Sequence, residues 1–265
     1  MPLPRLIASD LDGTLLGPDG AVSAETRRAV ARASEAGIEV VAATGRSRYT
    51  AVPKLEAVRE IRYILCSNGA MIWDRHQDRV VAHRPIPGSI AVDVVRHLRR
   101  HVHDVAVGWE TPHGFGFDDR FQARPPSIEE FALHADHPEP EATTEVTKLL
   151  VTITRESSPD ELRDAVAPHV PETVTATSSG GGFLETTAAG VDKGSTLAAF
   201  ADERGITAAD VMAFGDHHND LTMLRWAGTG VAMANGHPEI LAAADRHAPS
   251  NHEHGVAQLI DALLT

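Results

Sequence analysis

The feature that most limits what this chain can fold into is an apolar run that ends in acid. Leu3-Pro4-Arg5-Leu6-Ile7-Ala8 leads into Ser9-Asp10-Leu11-Asp12-Gly13-Thr14. The run has the length of a short strand, and Gly13 supplies a turn as soon as it ends. In an open α/β sheet, ligands gather outside the carboxyl ends of parallel strands, so carboxylates placed there sit where chemistry can occur. Taken alone, Asp12-Gly13 reads equally well as a hairpin turn.

The same construction recurs twice. Ile38 to Ala43 runs into Thr44-Gly45-Arg46, and Val211 to Phe214 runs into Gly215-Asp216-His217-His218-Asn219-Asp220. Each polar cluster has a plainer reading, a turn for Thr44-Gly45-Arg46 and a helix cap for the acidic group. Three such strand ends in one chain point instead to a shared reaction centre. A fourth element, Gly190-Val191-Asp192-Lys193-Gly194-Ser195, precedes the amphipathic stretch from Thr196 to Arg204, which stops at Gly205. Lys193 therefore lies near a helix start, where its charge opposes the helix dipole and a bound anion would be favoured by both. A solvated lysine is the competing interpretation.

Between the first two strand ends, Ser23 to Ala36 carries Ala29, Ala33 and Ala36 on one helical face, with Ser23 as N-cap and Gly37 as the stop. Strand, helix and strand imply parallel pairing, and Tyr63-Ile64-Leu65-Cys66 adds another strand to a doubly wound sheet. The region from His83 to Thr186 differs in character. It holds Pro125-Pro126, His137-Pro138-Glu139-Pro140 and Phe115, Phe117, Phe121 and Phe131, four of the seven phenylalanines. It is expected to be an inserted second domain with a helix from Ile90 to His101, a hairpin of Val102–Trp109 and Gly114–Phe117, and a β-branched strand from Lys148 to Thr154. Gly180-Gly181-Gly182 reads as a plain loop.

Composition enters as a constraint on partners. A formal charge of −13 with no compensating basic stretch argues against nucleic acid and anionic membranes. The single cysteine, Cys66, excludes an intramolecular disulfide and is expected in the core. No apolar segment reaches the roughly 18 residues of a membrane span, and the first strand stands where a signal peptide would, so a cytoplasmic protein is expected.

These residues resemble the haloacid dehalogenase superfamily, specifically the Cof-type phosphatases with a large α/β cap. Asp10-Leu11-Asp12-Gly13-Thr14 is similar to the first motif, Thr44-Gly45-Arg46 to the second, Lys193 within Gly190-Val191-Asp192-Lys193-Gly194 to the third, and Gly215-Asp216 with Asn219-Asp220 to the fourth. Ser67-Asn68-Gly69-Ala70, Val231 to Gly236 and Asn251 to Val256 fit as secondary signatures, although the family more often has Gly-Asn-Ala where Ala234-Asn235-Gly236 stands. The likeness is good at both ends of the chain and poor in the middle.

The resemblance implies a Rossmann-like parallel sheet core at residues 1–83 and 187–265, with an inserted α/β cap at 84–186 that closes over the site and sets specificity. It implies a phosphatase acting on small phosphorylated metabolites, above all sugar phosphates. Asp10 would be the nucleophile that forms an aspartyl-phosphate, and Asp12 the general acid and then base. Lys193 would bridge phosphate and Asp10, while Thr44, Gly45 and Asn219 would hold the phosphoryl oxygens. Thr14, Arg46 and Asp220 would support them, Asp220 by orienting Lys193 or a metal-bound water. Asp10, Asp216 and the carbonyl of Asp12 form the hard oxygen set that suits Mg²⁺. The surplus of negative charge around phosphate favours a proton on Asp12.

Some readings stay open at this stage. His217, His218, His252 and His254 could form a softer metal site, although a chain with fifteen histidines places some in any loop. Trp109, His113, Phe115, Arg120 and Arg124 are candidates for lining the cap. A phosphosugar mutase or phosphotransferase would keep every motif, and an aspartate-phosphorylated signalling receiver uses a related set of residues. The receiver carries its phosphoacceptor within one short domain and has no large insert. The sequence does not name the substrate or the oligomeric state.

Overall fold

The computed structural model describes residues 3–122, 139–179 and 182–265. Arg124, Pro125-Pro126, Phe131, His137-Pro138 and Gly180-Gly181 lie outside the described residues. The chain divides into two compact units, one of residues 1–82 with 192–265 and one of residues 83–191. The crossings were expected at 83/84 and 186/187. The second falls five residues later because Leu184–Ala188 is a strand of the inserted unit's own sheet.

In chain order the strands are β1 (Leu6–Ser9), β2 (Glu39–Ala43), β3 (Tyr63–Cys66), β4 (Met71–Asp74) and β5 (Arg79–His83), followed by β6 (Ile86–Pro87), β7 (Val105–Thr111), β8 (Gly114–Phe117), β9 (Glu145–Val146), β10 (Lys148–Ile153), β11 (Val174–Thr177) and β12 (Leu184–Ala188), and then β13 (Val211–Gly215), β14 (Thr229–Met233) and β15 (Arg246–Ala248). The first unit is a mixed α/β layer built on one sheet in the order β15-β14-β13-β1-β2-β3-β4-β5. From β15 to β3 all pairings are parallel, and β4 returns antiparallel to β3.

Alternation along the strands explains the layering. In β1, Ile7 faces one core with Val40, Ala42 and Phe214, against helices Ala24–Glu35 and Gly255–Leu263. Leu6 and Ala8 face the other core with Val41 and Ala213, against helices Lys193–Asp202 and Leu221–Trp226. With both faces covered, β1 and β13 are buried along their whole length, as expected of central parallel strands. The helix after β1 is capped as its sequence requires: Ser23 accepts from the Thr26 amide, and Gly37 takes φ +82° just beyond the end. Cys66 is buried in this core.

The inserted unit has a five-stranded sheet, β11-β12-β10-β7-β8, with antiparallel pairing throughout. Helices Gly88–His101 and Pro159–Val166 contribute Val94, Leu98, Leu162 and Val166 to a core that also holds Trp109, Leu149 and Val151. Among the described residues no helix is long and apolar enough to cross a membrane.

Candidate active site

β13, β1 and β2 lie side by side in the middle of the first sheet, so their carboxyl ends deliver three polar turns to one place. The pairing of Ser9 with Phe214 sets the register, and the Asp10 amide donates to the Phe214 carbonyl at 3.0 Å. Strand order changes direction about β1, which is where an open α/β sheet leaves a crevice. Beyond Asp10 the chain makes one wide turn over Leu11–Leu15, closed by the Leu16 amide on the Leu11 carbonyl at 2.9 Å. Gly13 takes φ +79°, and a Cβ there would lie 2.3 Å from Asp216 Oδ2. Only glycine allows both the left-handed turn and that close approach.

Lys193 is the first residue of its helix, which Asp192 and Ser195 cap reciprocally. Its ammonium is fully buried and donates to Asp10 Oδ1 and to Asp220 Oδ1, each at 2.6 Å. The other oxygen of Asp220 accepts from the amides of Asp216 and His217 at 2.9 and 3.0 Å, so Asp220 both fixes the lysine and closes the turn after β13. Thr14 donates to Asp216 Oδ1 at 2.7 Å. Oxygens of Asp10, Asp216 and Asp220 come within 4.8 Å of one another.

This crowding governs protonation. Burial pushes Asp10 well above the usual carboxylate range, against the pull of Lys193 and with help from the charges of Asp220 and Asp216. Burial, then the charge of Asp220, carries Asp216 up to about 7. Burial would lower Lys193, but Asp10 and Asp220 outweigh it and hold its pKa above the ordinary lysine value. Two carboxylates that resist ionisation beside an all-oxygen crevice fit a divalent cation, whose charge would let both ionise.

The remaining expected residues are placed as follows. Thr44 is buried and its hydroxyl accepts from the Arg46 amide at 3.1 Å, closing the Thr44-Gly45-Arg46 turn. Asn219 is buried and donates to Asn68 Oδ1 at 3.0 Å. Asp12 is half-exposed, and Arg46 grips both its oxygens at 2.6 and 2.8 Å. This guanidinium offsets part of the surplus negative charge expected around Asp12. Asn235 donates to the Gly13 carbonyl at 2.8 Å and accepts from the Asn251 amide, while Asn251 donates to the Leu16 carbonyl at 2.9 Å. These two asparagines stitch the late loops to the first turn. Sequence reasoning gave them no role, although both stand in the signatures it singled out.

The structure decides two readings that the sequence leaves open. The four histidines do not form one group: the His217 and His218 rings meet edge to face beside His237, whereas His254 Nε2 lies 3.9 Å from Glu25. Of the cap-lining candidates, Trp109 and Phe115 are buried inside the inserted unit, since each ring gains more by leaving water than by waiting for a ligand. His113 and Arg120 are exposed.

Known proteins match nearly the whole length of the chain. The family model for haloacid dehalogenase-like hydrolases matches residues 7–260. YxeH of Bacillus subtilis (strain 168) is 33% identical over 98% of this chain and 98% of its own. The 5-amino-6-(5-phospho-D-ribitylamino)uracil phosphatase YcsE of the same organism is 29% identical over 97% of this chain and 94% of its own. The solved structure of a haloacid dehalogenase-like hydrolase from B. subtilis superposes with a TM-score of 0.80 at 26% identity, covering 97% of this chain and 99% of that one.

Proposed function

The chain belongs to the haloacid dehalogenase-like hydrolases and is a phosphatase; from that premise we propose that it hydrolyses small phosphorylated metabolites, sugar phosphates foremost, in a Mg²⁺-dependent reaction through a phosphoryl-aspartate on Asp10. The observation that carries this reading is the buried lysine shared by Asp10 and Asp220 at the ends of adjacent parallel strands, with Asp216 alongside.

In the first step an Asp10 oxygen bonds to phosphorus while the ester oxygen leaves, taking a proton from Asp12. In the second, Asp12 removes a proton from water, whose oxygen bonds to phosphorus and releases phosphate with Asp10 restored. Asp12 must exchange its contact with Arg46 for the leaving oxygen, which its half-exposed position permits. Lys193 holds Asp10 in place and offsets charge on the phosphoryl group, while Thr44, Gly45 and Asn219 are assigned to the phosphoryl oxygens. Asp10, Asp216 and the Asp12 carbonyl would hold Mg²⁺, which supplies charge neutralisation to a dianionic substrate. The 83–191 unit is assigned the selection of substrate. YcsE acts on a phosphorylated ribityl compound, and a polyol phosphate is chemically akin to the sugar phosphates proposed here.

The test is a phosphate-release screen over sugar phosphates, nucleotides and cofactor phosphates with and without Mg²⁺, run beside Asp10→Asn. Release from sugar phosphates should vanish in chelator, return with Mg²⁺ and be absent in the variant. Full turnover in chelator, or by Asp10→Asn, would overturn the mechanism. An isomeric sugar phosphate in place of free phosphate would identify a mutase.

A further inference from the structure

Beside the carboxylate crevice the first unit gathers a second set of donors of different chemistry. His218 lies in the short turn after Asp216, His237 caps the helix Pro238–Ala243, and Glu239 lies in the first turn of that helix. One ligand atom from each comes within 4.8 Å of the others, with His218 Nε2 and Glu239 Oε2 3.3 Å apart. The rings of His218 and His237 stand 4.2 Å apart at 48°, so they are not stacked flat on each other. The backbone fixes the two segments together, because the His237 amide donates to the Asp216 carbonyl at 2.8 Å.

We infer that His218, His237 and Glu239 form a binding site for one borderline divalent transition-metal ion of the Zn²⁺ class, separate from the oxygen set of Asp10, Asp216 and the Asp12 carbonyl. Two imidazoles and one carboxylate are a donor set that Zn²⁺, Co²⁺ and Ni²⁺ prefer and that Mg²⁺ does not. Metal–nitrogen and metal–oxygen bonds of about 2.0–2.2 Å place neighbouring ligands of a tetrahedral ion roughly 3.4 Å apart, so the set needs only a small closure. The exposed Glu239 side chain supplies that movement, while the half-buried histidines are held by their turns. His237 Nδ1 accepts from the Glu239 amide at 3.3 Å, a long bond that either leaves Nδ1 to bind metal in its place or yields when Nε2 does. Three protein ligands leave a fourth position for water. An ion here would tie the turn carrying Asp216 to the helix start at Pro238.

The test is competition for Zn²⁺ against a chromophoric chelator with Mg²⁺ saturating the carboxylates, together with visible spectra of the Co²⁺-loaded protein. The wild-type protein should hold one equivalent of Zn²⁺ with submicromolar affinity and give the strong visible bands of four-coordinate Co²⁺. His237→Gln and Glu239→Gln should each weaken binding by more than the roughly tenfold to hundredfold that losing a hydrogen-bond partner of a ligand costs, and Asp10→Asn should retain the equivalent. Melting curves and Mg²⁺-dependent phosphate release by Glu239→Gln show that the fold is intact. Absence of binding at micromolar Zn²⁺ would overturn the site. So would undiminished binding in a folded His237→Gln, or its loss in Asp10→Asn, which would put the ion among the carboxylates.

Discussion

Each unit of this protein buries a lysine between two acids, and the two do so to different ends. In the first unit Lys193 joins Asp10 and Asp220 at 2.6 Å each, with Asp216 as a third carboxylate. In the second, Lys148 on β10 meets Glu185 of β12 at 2.7 Å and Glu110 of β7 at 3.9 Å, all three buried. The Lys193 group sits where strands stop and the backbone turns, with three carboxylates around one cation. The Lys148 group stands in mid-sheet, its members held by the ladder on either side. A buried ion cluster is therefore no sign of chemistry by itself; the place at strand ends and the third carboxylate are what single out the Lys193 group as the proposed reaction centre.

The largest effect should come from Lys193→Met. Loss of the cation proposed to face the phosphoryl group is expected to lower phosphate release by about 10³-fold or more in single-turnover assays. A comparable loss from Lys148→Met, measured in folded protein, would break the distinction between the clusters.

Next, Lys148→Met should act on stability. Leaving Glu185 and Glu110 buried without their cation is expected to cost about 3–5 kcal/mol in urea unfolding, and adding Glu185→Leu should recover part of it. The Mg²⁺ titration of the folded variant should be unchanged.

The smallest effect, and the one that most sharpens the contrast, is in pH. Asp216 titrates at about 7 when folded, above its unfolded value, so between about pH 4 and 7 the metal-free folded state holds protons that the unfolded chain has lost. Its contribution to metal-free stability should decline as pH rises through that window. Mg²⁺ must displace the proton, so half-saturating Mg²⁺ should fall by up to about tenfold per pH unit for each proton displaced as pH rises from about 5 to 7. A flat Mg²⁺ titration from pH 5 to 7 would remove Asp216 from the metal set.

Why one cluster was legible in the sequence and the other was not follows from the same geometry. Asp10, Asp12, Asp216, Asp220 and Lys193 sit in short contiguous runs at strand ends or a helix start, where local pattern marks the position. Lys148, Glu110 and Glu185 lie in three separate strands whose meeting depends on register: Lys148 pairs opposite Glu110, and Glu185 opposite Leu150. No local pattern carries register between distant strands. The hold of Arg46 on Asp12 was hidden for a like reason, since two turns 34 residues apart had to be placed first. Trp109 and Phe115 stayed undecided in the sequence because an aromatic side chain reads alike as a lining or a core. The second crossing was set too early because Leu184-Glu185-Thr186-Thr187 is too polar to announce a buried strand.

The pairing of β1 with β13 also sets a schedule. Thr14 waits for Asp216, a partner 202 residues further along the chain. At a synthesis rate of about 5–20 residues per second, the ribosome needs about ten to forty seconds to deliver it. Throughout that interval β1 lacks its neighbour on one side, and its unpaired edge is a template for the wrong strand. Until residues 193–220 are delivered, a growing chain holds Asp10 and Asp12 but lacks Lys193, Asp216 and Asp220, so the whole cluster forms in one late step.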